Sequence, residues 1–201
     1  MREPWIRFTF DYVDPGSYVA AALLDRWARR RPSPPHLTWE PLELRTPRAE
    51  PIDPADAGWD TLVGAMAEIA ESEEIPFTPP DRIPWTRKAH ELGFHAREKG
   101  CFESVHAALF EAHFAAGRDI SRVDVLVELA GEQGMDPAEV RTVLGVDRFA
   151  ASVEEARREA LERGIRGVPT LESHTGTLEG LRRSDELYAF LEKLAPGPAG
   201  R

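Results

Sequence analysis

FDYVDPGSYVA, residues 10–20, joins the end of an extended segment to the start of a helix, and the rest of the chain can be placed outward from that junction. Ahead of it, WIRFTFDYV at 5–13 places Ile6, Phe8 and Phe10 on one side of a run rich in β-branched and aromatic residues. That pattern predicts a strand, and a central one. Behind the junction, YVAAALLDRWARR carries Tyr18, Ala21, Ala22, Asp25 and Arg29 at helical spacing, so a helix is expected to about Arg31. At the junction itself Asp14 is a residue type preferred at an N-cap, Pro15 one preferred at the first helical position, and Ser17 stands third.

Further out, Pro32, Pro34 and Pro35 end that helix, and LTWEPLEL at 37–44, interrupted by Pro41, reads as a second strand. Two parallel strands joined through a helix normally cross over right-handedly and seed an α/β sheet. From about residue 46 the pattern turns helical. Segments 59–74 and 85–99 flank the proline-rich IPFTPPDRIP, and in 102–116 Phe102, Val105, Leu109, Phe110 and Phe114 recur at steps of three and four before Gly117. Ser121 with Asp124 reads as a near capping box, Asp136-Pro137 with Glu139 opens a short helix, and Ser152 opens one that stops at Gly164. RGVPTLES and TLEG then read as two short strands around HTG, before a final helix at 184–194. The expected organisation is one α/β part, 1–45 with 165–201, and an all-helical insertion, 46–164.

The charge balance limits partners. Lysine and arginine total 25 against 35 acidic residues, a formal net charge of −10, which opposes a nonspecific grip on nucleic acid or anionic membranes. Arg29, Arg30 and Arg31, and Arg182 with Arg183, sit near expected helix ends and read as solvated, dipole-complementing groups. Neither a leader-like apolar stretch nor a spanning run is visible, so the expected compartment is the cytoplasm. The lone Cys101 fits this, because a disulfide scaffold needs cysteines in pairs.

The order β-α-β, helical block, β-β-α resembles the DsbA-like branch of the thioredoxin superfamily, an α/β fold with a large helical insertion. FDYVDPGSYVA at 10–20, FESVHAALFEAHFAAGRDIS at 102–121 and GIRGVPTLE at 164–172 are similar to segments of its FrnE-like members. Kappa-class glutathione transferases and 2-hydroxychromene-2-carboxylate isomerases share the architecture. In the oxidoreductases of this branch the place of Asp14-Pro15-Gly16-Ser17 holds a Cys-Pro-x-Cys motif, whose first thiolate attacks a disulfide and whose second thiol resolves the product. A carboxylate at Asp14 and a hydroxyl at Ser17 support neither step, so dithiol redox activity is expected to be absent. In the transferase and isomerase relatives a serine at the first place holds the glutathione thiolate; Asp14 departs from that too, since an ionised carboxylate donates no hydrogen bond and repels a thiolate. The resemblance further implies a cis bond at Val168-Pro169, with the backbone of Val168 pairing to a bound peptide or glutathione. The ligand-binding set it implies is Asp14, Pro15, Gly16, Ser17, Val168 and Pro169. Asp14 and Ser17 are the candidates for any catalysis, although helix capping explains both as well.

Other groups carry weaker signals. His90, His95, His106 and His113 lack the spacing and companion ligands of a metal site, so no metal is expected and His106 and His113 are read as packing or hydrogen-bonding within the insertion. Cys101 reads as a packing residue. Ser17, His174 and Asp11 have the residue types of a nucleophile set, but no nucleophile-elbow pattern surrounds Ser17, and no P-loop or dinucleotide fingerprint occurs. Two functions fit these residues: an enzyme that binds glutathione or a related small-molecule thiol between helix one and Pro169, or a non-catalytic module that holds a peptide or partner in the same cleft.

Overall fold

A computed structural model describes residues 4–46 and 56–194. Four strands form one mixed sheet in the order β2-β1-β3-β4. β1 (Trp5–Phe10) pairs in parallel with β2 (His36–Pro41) through the crossover helix α1 (Pro15–Arg29) and antiparallel with β3 (Thr170–Ser173); β3 turns into β4 (Gly176–Glu179). Ile6, Phe8 and Phe10 are all but fully buried, as a central strand requires. Between β2 and β3 lie α2 (Ala57–Ser72), α3 (Arg87–Lys99), α4 (Phe102–Phe114), α5 (Val123–Glu132), α6 (Pro137–Gly145) and α7 (Ala150–Glu162). The last described helix, α8 (Ser184–Glu192), packs against α1. The architecture is thus an α/β thioredoxin-like fold interrupted by helices.

Several boundaries differ from those read in the sequence, each for a local reason. β1 stops at Phe10 because the Asp11 carboxylate captures backbone amides beyond it, those of Val13 at 3.4 Å and Leu44 at 2.8 Å. β2 ends on Pro41, which is tolerated because β2 is an edge strand. The Ser121–Asp124 capping box does not form: Asp119 takes both the amide and the hydroxyl of Ser121, Asp124 pairs with Arg122, and α5 starts at Val123. α7 starts at Ala150, so Ser152 lies inside it, and α2 starts at Ala57, where Asp56 caps the amides of Gly58 and Trp59.

One large apolar core runs from the sheet into the helices. Phe10, Tyr12 and Trp39 of the sheet region pack with His106 and Phe110 of α4, with ring centroids 4.3–6.0 Å apart. Burying aromatic rings of this size contributes about 2–3 kcal/mol each. The helices and the sheet therefore share a core.

Candidate functional site

The site grows from the end of β1. Asp11 is fully buried, and its carboxylate, besides accepting from Val13 and Leu44, lies 2.9 Å from Nε2 of His90 on α3. This clamp sets the path by which the chain enters α1. Asp14 then caps α1: its backbone is extended, and its Oδ2 accepts from the Ser17 amide at 2.5 Å. Pro15 occupies the first helical turn, where a missing N–H is harmless.

Every residue from Asp11 to Ala20 is buried. Burial pushes the Asp14 carboxyl up to about 7, against the opposing pull of hydrogen bonds from Ser17 and with a smaller push from the neighbouring Asp11. Near neutral pH Asp14 is therefore a mixture of carboxylate and carboxylic acid. The acid form can donate a hydrogen bond, so the repulsion expected from a permanently ionised Asp14 applies only to part of the population.

Val168 and Pro169 come to the same place. Their peptide bond is cis, and Cδ of Pro169 lies 3.0 Å from the point where a Cβ on Gly16 would stand. Oδ2 of Asp14 is 3.2 Å from that same point, so the contact is fitted to a residue with no side chain. Val168 is half-buried and precedes the ladder, which begins at Thr170 opposite Thr9. Its amide and carbonyl are thus not used by the sheet, whereas the Pro169 carbonyl accepts from Gly180 at 2.7 Å. All six residues named from the sequence are gathered at one spot.

Met66 of α2 was not legible as part of it. Its sulfur is 3.7 Å from the Gly16 Cβ position, and the side chain is 1% exposed. Met66 lies over the helix start, so the junction is covered, and one open cavity lies elsewhere, between α1 and α4. That cavity measures about 660 Å³. Nothing in the spacing of α2 marks Met66, since an apolar residue on the inner helical face is also what plain packing demands.

The remaining candidates separate. His174 is exposed in the β3–β4 turn, while Ser17 is fully buried and Asp11 is taken by His90, so these three do not assemble. Among the described residues no group of three His, Cys, Asp or Glu side chains is placed to hold a metal. The hydrogen bond of His106 leaves the insertion: its Nδ1 meets the hydroxyl of Tyr12 at 3.1 Å, tying α4 to the segment after β1. Burial holds His106 well below the usual imidazole range and His113 down at about 4, so both are neutral. Cys101 is half-buried before α4, with its sulfur 3.7 Å from the Ala96 carbonyl. No described helix is long and apolar enough to cross a membrane.

Comparison with known proteins agrees with this fold. The protein YwbO of Bacillus subtilis is 31% identical over 172 residues, covering 82% of this chain and 84% of its own. Among solved structures, a probable DsbA oxidoreductase from Streptomyces coelicolor superposes with a TM-score of 0.81 at 24% identity, over 98% of this chain and 93% of the other. A 2-hydroxychromene-2-carboxylate isomerase gives 0.79 at 18% identity, over 94% of both chains. The cytosolic disulfide reductase DsbM from Pseudomonas aeruginosa, solved with GSH, gives 0.67 at 21%, over 94% and 98%. At these identities the structures establish the fold alone. The family model of the DSBA-like thioredoxin domain matches residues 5–191, from the start of β1 into α8. The chain therefore belongs to the DsbA-like thioredoxin-domain family, as a member whose single cysteine leaves it without a CxxC pair.

Proposed function

We propose that this protein binds glutathione, or a related small thiol or peptide, along the backbone edge at Val168 beside the capped start of α1, and that it carries out no dithiol exchange. The observation that carries this reading is the juxtaposition of Pro169 with Gly16, whose Cβ, if it had one, would stand 3.0 Å from Pro169 Cδ, with the polar backbone groups of Val168 left outside the sheet. An extended ligand can pair with such groups as an added strand. The solved GSH complex of the similarly folded DsbM supports glutathione as the first ligand to test. Asp14 would face the ligand's thiol, as a hydrogen-bond donor when protonated. The cytoplasm, where reduced glutathione is plentiful and disulfide scaffolds are rare, is the matching compartment.

Thermal unfolding with reduced glutathione, oxidised glutathione and a short unrelated peptide tests this. A ligand at a hundred times its Kd should stabilise the fold by about 2.7 kcal/mol. Stabilisation by the peptide but not by glutathione would assign the edge to a peptide or protein partner instead. No response to any of the three would remove the reading.

A further inference from the structure

The junction of Gly16 with Pro169 is closed over. Asp14 is 5% exposed, Gly16 is buried, and the sulfur of Met66 on α2 stands 3.7 Å from the Gly16 Cβ position. A ligand at Val168 that is to meet Asp14 needs that cover removed, and the two halves of α2 are held very differently.

The second half is fastened. Ala70 is fully buried, Glu73 pairs with Arg26 at 3.4 Å and accepts from the Tyr188 hydroxyl at 3.2 Å, and the Tyr18 hydroxyl donates to the Pro76 carbonyl at 2.6 Å. The Ile75 amide returns to the Ala70 carbonyl at 2.8 Å, across Glu74 at a φ of 55°. A residue other than glycine stays left-handed only where its neighbours hold it there, so this end is an anchor.

The first half is not fastened in this way. From Ala57 to Leu62 every residue is exposed except the half-buried Trp59, and only Val63 and Met66 are buried before Ala70. Gly64 lies between those two on the exposed face, with nothing within 4 Å of where its Cβ would stand. Packing does not require a glycine there, while glycine inside a helix weakens it relative to alanine. Segments with few buried contacts and weak local propensity open at a free energy below that of global unfolding.

We propose that the first half of α2, from Ala57 through Met66, is a gate over the junction of Asp14, Gly16 and Pro169, and that it opens by unwinding from its N-terminal end while Ala70 to Pro76 stays in place. The gate controls entry to the ligand site proposed above; it rests on that reading for its purpose but not for its motion.

Alkylation of single buried thiols by iodoacetamide, in the Cys101→Ser background, tests the motion. Asp14→Cys places a thiol under the gate, and Val140→Cys places one in the fully buried position of α6, where it reports global unfolding. Each rate is taken relative to that of the same thiol in the unfolded chain. The thiol at position 14 should react about a hundredfold faster than the one at 140, with little dependence on low urea, and Gly64→Ala should slow it several-fold. Equal rates for the two thiols, a rate at 14 equal to that of the unfolded chain, or a rate indifferent to Gly64→Ala would each overturn the gate. Should Asp14→Cys not fold, hydrogen exchange of the wild-type protein reads the same motion: the amides of Val63 to Met66 should exchange at least about tenfold faster than those of Leu23 and Leu24 in α1, and equal protection overturns the proposal. Millimolar reduced glutathione should speed exchange at Val63 to Met66, because a ligand seated at Asp14 favours the open form. Unchanged exchange with glutathione, beside the expected alkylation rates, would uphold the gate and remove glutathione as its ligand.

Discussion

Cδ of Pro169 lies 3.0 Å from where a Cβ on Gly16 would stand, so the first turn of α1 and the loop before β3 touch at a point that admits only glycine without adjustment. On the other side Oδ2 of Asp14, held by the Ser17 amide, is 3.2 Å from the same point. Gly16→Ala should gain up to about 1 kcal/mol in helix propensity but lose more to crowding, because neither neighbour is the free end of a flexible chain. A net destabilisation of about 1 kcal/mol is expected by chemical denaturation. A more stable variant would show that the contact gives way readily.

The titration of Asp14 makes a signed prediction. Its folded value of about 7 lies above that of an ordinary carboxyl, so the folded chain holds a proton there that the unfolded chain releases. The stability this group contributes is complete below about pH 4 and is lost as pH rises through about 7, falling by roughly 1.4 kcal/mol for each pH unit between the two. His106 and His113, both pushed down by burial, act with the opposite sign, and their contribution is lost as pH falls. Asp14→Asn keeps a capping oxygen and removes only the titration. The difference in unfolding free energy, wild type minus variant, should therefore fall between about pH 4 and about pH 7 and level off above. A flat difference would mean that Asp14 is ionised throughout.

No insulin-reducing or dithiol-oxidising turnover is expected from the wild-type protein or from Cys101→Ser, since a single thiol cannot close an intramolecular disulfide. Introducing Asp14→Cys and Ser17→Cys together in the Cys101→Ser background places two thiols at the cap and third position of α1, where the helix N-terminus favours a thiolate. That variant should gain measurable insulin reduction. Turnover already present in Cys101→Ser would refute the link between the lost cysteines and the lost activity.

Met66 covers the junction, and its removal separates packing from access. Met66→Ala should lower stability by about 2–4 kcal/mol, the usual range for emptying a buried methionine site. If glutathione binds beside Gly16, the same variant should bind it several-fold more tightly, measured at a temperature where both proteins are folded. Unchanged affinity would place any glutathione site away from Met66.

The order of strands and helices was legible in the residues themselves. Alternation in WIRFTF, the helical spacing after Pro15, the proline breaks and the run from Phe102 to Phe114 are local patterns set by backbone geometry, and each survives in the fold. The Asp14 cap was legible for the same reason, because a cap bonds to an amide three residues away. The Ser121 box failed because Asp119, just as local, competes for the same amide. The surroundings of the site came from contacts between residues far apart in the chain. The contact of Gly16 with Pro169 spans most of the chain and was expected only through the family resemblance, Met66 arrives from a helix whose inner face any apolar residue could fill, and His106 finds Tyr12 from 94 positions away. Above all, the Asp14 proton is governed by desolvation, which depends on everything packed around the carboxyl and so has no signature in the residues beside it.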